Sequence, residues 1–501
     1  MFGFVGKLFS KKETQSLEAI GASKRQFRRI KASYDAAQTT DDNTKHWAAA
    51  DGLDADTAAS PSVRQTLRRR CRYEYANNCY ARGMVNTKAQ YVVGTGPRLQ
   101  MLLPDSVSNG QVEASFGAWA KEIRLAAKLR AARGAISYDG EAFLMLISNP
   151  ALRHPVKLDI AMVDADRVTS PNILPGTAGE IDGIKFDDYG NPATYNVLKK
   201  TPGQLGIVTL SADSDPVPAS DMIHLYNPDR PEQHRGIPEL TPALGLFSQL
   251  RRYTIAVLSA AETAADFALV MQTDAPADGD ADSIEAMDTI QLERNMMTTM
   301  PAGWKLGQVD ATQPSTTYGD FKREILGEVG RAFGMPFGLA AGNFSKYNYA
   351  SGRLDHQAFA KAIDIERADM GGVALDRILS AWIDEAALIE GLLPQPLRTL
   401  APLTYCAHEW FWDGREHVDP QKEATAQGKR LANGTTTLAA EYARRGLDWE
   451  PETRQRVKEL TLLDTLQANR ESERMALRKK LKLPEVITND AETEKAKNAT
   501  A

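Results

Sequence analysis

Residues 227–243 read Asn227-Pro-Asp-Arg-Pro-Glu-Gln-His-Arg-Gly-Ile-Pro-Glu-Leu-Thr241-Pro242-Ala243 and lead into an alanine-rich run from Leu244 to Met271. After Gly245 that run contains neither proline nor glycine. Its larger or buried-type residues fall at Leu246, Leu250, Tyr253, Val257, Ala260, Ala264 and Ala268, and this three-to-four spacing predicts a helix. At ~1.5 Å per residue the helix would be roughly 40 Å long. Much of its later half is Ala, Ser or Thr, so a neighbouring helix can approach closely. On pattern alone this is a long helix in a large core, and the surrounding sequence must say more.

Outward from this helix, the first half of the chain alternates strand and helix signals, and the second half is mostly helical, an α+β pattern. Residues 10–60 are polar with little periodicity and predict a partly ordered arm. Pro61 to Gln90 predicts a helix carrying Arg64, Arg68, Arg69, Arg70 and Arg72, a solvated or ion-pairing face. Tyr91-Val-Val, then Gly94-Thr-Gly-Pro97, then Leu99 to Leu103 predicts strand, turn, strand; the glycines precede no helix and make no dinucleotide loop. Residues 111–133 predict a helix. Ala142–Ile147 and Val156–Met162 predict strands, the second by its period of two. Ile184–Phe186 and Ala193–Leu198 predict a hairpin around Asp187-Asp-Tyr-Gly-Asn-Pro192, and Met222–Tyr226 a further strand. Beyond the long helix, Thr273–Asp282 is an acidic loop and Ser283–Met297 a weak helix. Phe321–Phe333 is a strong helix stopped by Gly334 and Pro336. Phe337–Gly352 predicts a long loop rich in Gly, Asn, Ser and Tyr. A helix from Arg353 to about Glu390 follows, with a bend at Gly371-Gly372.

The 501 residues provide length for about three domains. A hydrophobic content of 43% and a charged content of 25% are ordinary for a globular protein. The net charge of −5 argues against a surface that grips nucleic acid broadly, though not against one that lets a duplex pass. Cys71, Cys79 and Cys406 form neither a disulfide framework nor a zinc spacing, and a reducing cytoplasm is expected. Arg251, Arg252, Glu262 and Asp266 exclude the long helix as a membrane span. The apolar start Met1-Phe-Gly-Phe-Val-Gly-Lys-Leu-Phe9 lacks a basic lead and a cleavage site, and so makes a poor signal peptide.

Chemistry finds little support. His408-Glu409 begins like a zinc-protease HExxH, but Trp412 stands where the second histidine belongs. His417, beside Asp419-Pro420, reads as a turn residue. Asp164, Asp166 and Arg167 end a strand and are expected to cap a turn and pair with one another. Neither GxxxxGK[ST] nor GxSxG occurs. No catalytic, cofactor or metal residue is therefore expected. The loop at 337–352 is different: Phe337, Phe344, Tyr347 and Tyr349 with the lone cation Lys346 make a reasonable nucleic-acid contact.

Five segments, each weak alone, together resemble the lambda-type portal proteins of tailed bacteriophages. They are Met162-Val-Asp-Ala-Asp-Arg-Val168; Gly183 to Val197; Ile223-His-Leu-Tyr226 with Gln233-His-Arg-Gly-Ile-Pro238; Tyr347-Asn-Tyr-Ala-Ser-Gly-Arg353; and Val418 to Ala426 with Asn433-Gly-Thr-Thr-Thr437. Their order is the family's, over about residues 60–460. The family often has two serines where this chain has Ala350-Ser351.

The resemblance implies a portal-type α+β fold and a ring, usually of twelve subunits, at one capsid vertex, with double-stranded DNA passing through it. It implies a flexible arm (1–60), an α+β wing (61–240), stem helices with an intervening clip (241–334), a channel loop (335–352), a long helix returning to the wing (353–417), a helical crown side (418–487) and a disordered tail (488–501). The expected channel contacts are Asn343, Lys346, Tyr347, Tyr349 and Arg353. The expected stem interface is Val257, Ala260, Ala264 and Ala268, a small-residue face suited to a closed ring. The expected clip docking residues are Asp274, Asp278, Asp280 and Asp282, facing a terminase or a head–tail adaptor. The major capsid protein is a further expected partner, and ATP hydrolysis would belong to the terminase. The competing readings are a soluble α/β enzyme with an unrecognised active site and a cytosolic nucleic-acid adaptor.

Overall fold

A computed structural model of the chain describes residues 44–103, 105–170, 179–202, 213–266, 270–273, 304–307, 317–345, 347–394, 407–414 and 420–481. Two compact units divide at Ala58. In the first, helix α1 (Ala55–Ala58) follows Asp54, whose side chain accepts from the Thr57 amide at 2.7 Å. All that follows concerns the second.

The arginine helix α2 (Pro61–Asn77) opens on proline at its first turn, where no amide partner is lost. Asn78 ends it and caps the next helix, α3 (Cys79–Val93), by accepting from the amides of Tyr80 and Ala81. Tyr91-Val-Val is therefore the last turn of a helix, not a strand, because Val92 and Val93 are buried in a helical face begun by Met84, Val85 and Ala89. Strand β1 (Arg98–Met101) follows. The helix expected over 111–133 is two: α4 (Ser106–Glu122), capped by Asp105, and α5 (Leu125–Asp139). Arg124 breaks them, in the left-handed region at φ 57°.

Strands β2 (Glu141–Ser148), β3 (Leu158–Val163) and β8 (Met222–Tyr226) form one antiparallel sheet with β2 central. A second sheet runs β4 (Glu180–Ile181), β5 (Ile184–Phe186), β6 (Pro192–Leu198) and β7 (Ser214–Pro218), and contains the expected hairpin. Helix α6 (Leu244–Asp266) is the long helix. The expectation that it runs to Met271 is corrected: β9 (Val270–Thr273) pairs antiparallel with β10 (Trp304–Gly307), so Met271 lies in a ladder opposite Leu306. The β-branched Val270 and Thr273 favour that outcome. The weak helix expected at Ser283–Met297 lies outside the described residues.

Helix α7 (Tyr318–Ala332) matches its expectation, with Ile325, Leu326 and Val329 buried. The loop expected over 337–352 is shorter. Helix α8 (Phe337–Ala341) occupies its start, and α9 (Tyr349–Met370) begins inside it. Asn348 and Ser351 form a reciprocal capping box that a reading of the Gly/Asn/Ser composition as loop overlooks. At Gly371–Leu375 a π-helical turn joins α9 to α10 (Asp376–Ala387), at the bend expected there. Strand β11 (His408–Phe411) pairs with β1. The chain closes with α11 (Pro420–Ala432), α12 (Leu438–Arg444) and α13 (Trp449–Lys480).

The main core gathers α3, α4, α5, β2, α7 and α10 around Phe116, Trp119 and Trp382; the Phe116 and Trp382 rings meet edge to face at 5.4 Å. Trp119 Nε1 donates to the Leu158 carbonyl at 2.8 Å, which ties α4 to the first sheet. A smaller core of Phe143, Val163, Ile184, Tyr195 and Met222 joins the two sheets.

Candidate channel and assembly surfaces

The segment Gln233–Pro238 is held by charge in the interior. Arg235 is fully buried, and its Nε donates to both Glu141 carboxylate oxygens, at 3.0 and 2.9 Å. Its Nη1 reaches the Val168 carbonyl and Asp182 Oδ2, each at 3.0 Å. Glu141 also accepts from Arg68, from the Gly236 amide at 3.1 Å and lies 2.9 Å from His224 Nε2. Burial alone would raise the Glu141 pKa, but Arg235 and then Arg68 hold it well below the carboxylate range. Asp182 ties in Arg64 from α2. Gly236 is required here: a Cβ would sit 2.1 Å from the Gly140 carbonyl oxygen. One carboxylate at the start of β2 thus joins α2, the first sheet and the lead-in to the long helix, and Arg235 carries the tie on to Asp182 between β4 and β5.

The arginines of α2 divide by position. Arg64 and Arg68 are buried in this network, while Arg69 and Arg70 are exposed. Arg72 bridges Asp139 at 2.5 Å, Asp166 at 2.7 Å and Asp164 at 3.0 Å. Asp164 caps its turn as expected, accepting from the Asp166 amide. The expectation that Asp164 and Asp166 pair with Arg167 is corrected. They pair with Arg72, because α2 packs over that turn, and Arg167 Nε donates instead to the Leu198 carbonyl at 2.7 Å.

A second knot anchors the end of the lead-in. Glu239 accepts from Arg133 at 2.9 Å, from Lys88 at 3.1 Å and from Ser137 at 2.7 Å. Glu366 of α9 meets the same two cations, Lys88 at 3.0 Å and Arg133 at 2.6 Å. Burial opposes ionisation of Glu239, yet Arg133 and Lys88 bring its pKa down to about 2.

From this root α6 emerges. Phe247 and Leu250 are buried, and among the described side chains that follow on the helix, 251–262, none is. Tyr253 packs on Phe321 of α7 at 4.7 Å, and Thr254 meets the Tyr318 hydroxyl at 3.2 Å. Val257 and Ala260, expected at a stem interface, are half-buried. The backbone of Ala264 is helical; its side chain, and all of Ala268, lie outside the described residues. Ile255 and Leu258 are 60% and 58% exposed, on a different side of the helix from Val257 and Ala260. The sequence signal for this pair is the i, i+3 spacing of two large apolar residues.

In the expected channel loop, Asn343 Oδ1 accepts from the Ser345 amide at 3.0 Å. The Tyr347 hydroxyl accepts from the Gly338 amide at 2.8 Å, and its ring meets Phe344, which stacks on His356. Gly338 leaves room for both rings, since a Cβ would lie 2.8–2.9 Å from them. Tyr347 thus braces α8 against the start of α9. Arg353 is exposed on the first turns of α9. Lys346 lies outside the described residues, as does the Tyr349 side chain. Asp274, Asp278, Asp280 and Asp282 also lie outside them; their flanks, Thr273 and Trp304, are register partners.

His408 and Glu409 sit on β11, with His408 Nε2 3.1 Å from Asp376. His417 lies outside the described residues. Cys71 is buried and Cys79 exposed, both as free thiols. Among the described residues no cluster fit to hold a metal ion occurs, and no helix is long and apolar enough to cross a membrane.

An acid-and-arginine hub thus fixes the root of a long helix whose Ile255 and Leu258 are exposed. Residues 40–367 match the lambda family of phage portal proteins. The chain belongs to that family. Over 415 residues it is 23% identical to the probable portal protein of Halomonas phage phiHAP-1, covering 77% of this chain and 78% of that one. Solved structures similar to it include the neck of an empty gene transfer agent particle, computed with C6 symmetry (TM-score 0.43, 14% identity, covering 79% of this chain and 99% of that one). Another is an HK97-family phage portal protein from Corynebacterium diphtheriae (TM-score 0.29, 11% identity, 61% and 93%).

Proposed function

We propose that copies of this chain close into a ring of about a dozen at one capsid vertex, and that double-stranded DNA enters and leaves the head through its centre. Family membership supports the portal role, and α6 is the observation that carries the ring: rooted by Phe247 and Leu250, it leaves Ile255 and Leu258 uncovered in the single chain. A heterologous contact that closes on itself covers such a face in every copy.

Residues 61–240 form the wing, and α6 with α7 the stem. The segment opened by Thr273 and closed by Trp304 is the clip, and residues 342–348 are the turn facing the channel. Helices α11 to α13 belong to the crown side. In the clip, Asp274, Asp278, Asp280 and Asp282 meet a basic surface on the terminase or a head–tail adaptor; rim charges of this kind act mainly on association rate. The outer wing meets the major capsid protein, and assembly takes place in the host cytoplasm. The protein guides and docks, and the packaging motor supplies the hydrolysis. Native mass measurement and negative-stain imaging of the purified chain test this reading. Rings with a central hole are expected, and a monomer or dimer at assembly concentrations would overturn it.

A further inference from the structure

A groove of about 740 Å³ opens between the turn into β1, the later turns of α4 and the first turns of α5. None of the residues that line it belongs to the stem, the clip or the turn at 342–348. One wall is the outer edge of β1. Leu102 donates to the Ala407 carbonyl at 2.8 Å, so by the alternation of an antiparallel ladder the N–H and C=O groups of Leu99 and Met101 point away from β11. The Met101 amide donates to Glu113 Oε1 of α4 at 2.7 Å, and Glu113 lines the groove. Among the described residues no such partner meets the backbone of Leu99.

The facing wall carries cations without carboxylates. Lys121 and Arg124 line the groove, are exposed, and make no ion pair among the described residues. Arg98 reaches only Asp413, at 3.7 Å and with half of its side chain exposed. Arg124 is held in a costly conformation: it separates α4 from α5 in the left-handed region at φ 57°, where glycine would relieve the backbone and remove the charge. The carboxylates of the groove are already engaged. Glu113, ~12 Å along α4 from Lys121 by helix rise, holds the Met101 amide, and Asp448 holds Gln100 and the Glu450 amide. Pro97, Ala120 and Ala126 are half-buried between the two walls.

We propose that this groove binds an extended acidic peptide of a partner protein, which adds to the outer edge of β1 at Leu99 and sets its carboxylates against Lys121 and Arg124. Three features select that class of partner. A free N–H beside a free C=O on one strand residue is matched by a peptide backbone, whereas a phosphate accepts and has no donor for the carbonyl. In an extended segment the side chains alternate, so apolar ones meet Pro97, Ala120 and Ala126 while acidic ones turn to the cations. Glu113 and Asp448 repel a carboxylate at their end, which places the acidic part of the peptide at the break between α4 and α5.

Fluorescence anisotropy on the full-length protein tests this. The probes are labelled short peptides in which Asp or Glu alternates with Val or Leu, a matched set with Lys in place of the acids, and labelled ATP as a phosphate probe. The acidic set is expected to bind saturably, and the other two are not. Lys121→Glu combined with Arg124→Glu should weaken that binding by at least about tenfold. Arg124→Gly should weaken it too, with a thermal unfolding midpoint no lower than the parent's, since the backbone strain is relieved. Hydrogen exchange supplies the second readout: bound acidic peptide should slow exchange in fragments that span Leu99. No binding by the acidic set, equal binding by ATP or by the lysine set, or equal binding to the double variant would overturn the proposal. Bound peptide that leaves exchange at Leu99 unchanged would overturn it as well, reducing the groove to a charged surface.

Discussion

Arg235 in the wing and Leu258 on the long helix are about six turns of sequence apart and live under opposite rules. Around Arg235 the charged groups pair inside the chain: Glu141 and Asp182 are shared among Arg235, Arg68 and Arg64 with solvent excluded. Leu258, by contrast, is left 58% exposed by the described residues. The region around Arg235 is thus closed within the chain, whereas α6 leaves Ile255 and Leu258 exposed. This division explains how one polypeptide can be a stable building block and an incomplete object at once. Stability resides where polar groups are internally paired, and assembly resides where apolar groups are left over.

The sharpest break of the comparison is Arg235→Ala. Removing one partner of a buried pair leaves Glu141 and Asp182 uncompensated, which costs about 3–5 kcal/mol. The variant is expected to be largely insoluble, or to unfold at much lower denaturant than the parent. Equal unfolding midpoints would show that the hub does not hold the wing.

Glu239 comes next, because its partners remain in part after substitution: Glu366 still meets Lys88 and Arg133. Glu239→Gln is expected to cost ~2–3 kcal/mol near pH 7, the scale of a hydrogen bond to a charged group. The pH dependence has a defined sign. The carboxyl is held at about 2 in the fold against an ordinary value of 4.5. Its stabilisation is therefore complete above pH 4.5 and is lost as the pH falls from there towards 2. Denaturant unfolding at matched protein concentration should show parent and variant converging over that interval. A gap that persists undiminished at pH 3 would assign the effect to shape and not to charge. Asp139 runs the other way. Burial outweighs Arg72 and raises it to about 6, so its contribution is present below 3.8 and lost as the pH rises through 6.

Leu258→Glu separates the two regions. As an exposed substitution away from any cap or core contact, it should shift monomer stability by no more than ~0.5 kcal/mol. A charge repeated in every intersubunit contact should nevertheless abolish rings in native mass spectra. Intact rings would place the stem contact on another face, such as that of Val257 and Ala260.

Much of this division was legible beforehand. The period of α6, the alternation of β3 and the turn before β6 are local signals, and they placed the elements correctly. What failed was local evidence that tertiary context overrode. Tyr91-Val-Val has strand-type residues, but the helix already running through Met84 and Val85 buries them. Val270 and Thr273 end a helical pattern because a strand some thirty residues on pairs with them. The role of Asn348 and Ser351 as a cap was hidden by loop-like composition. Arg64 and Arg68 read as solvated because their partners lie far along the chain, at Asp182 and Glu141. For the candidate site, the small residues of α6 are plain in the sequence, whereas the exposure of Ile255 and Leu258 depends on which side of the helix α7 covers. The acidic clip residues lie outside the described residues and stand as proposals.

The smallest expected effect belongs to Lys346, and it tests the side of the comparison that faces DNA. The neighbours of this residue are committed to structure: Tyr347 holds the Gly338 amide, and Asn348 and Ser351 cap α9. Both braces are made by other residues, so Lys346→Ala is expected to fold and assemble as the parent does. On the proposed reading, one cation from each subunit, screened by salt over ~8 Å in physiological buffer, would guide phosphates without trapping a moving duplex. Its loss should therefore leave packaged genome length unchanged and increase leakage of DNA from filled particles, more at low salt than at high salt. Tyr347→Ala supplies the contrast. It frees the Gly338 amide and should impair ring formation itself. If Lys346→Ala rings fail to form, the lysine is an interface group. If its particles retain DNA like the parent at every salt concentration, the turn at 342–348 does not guide the duplex.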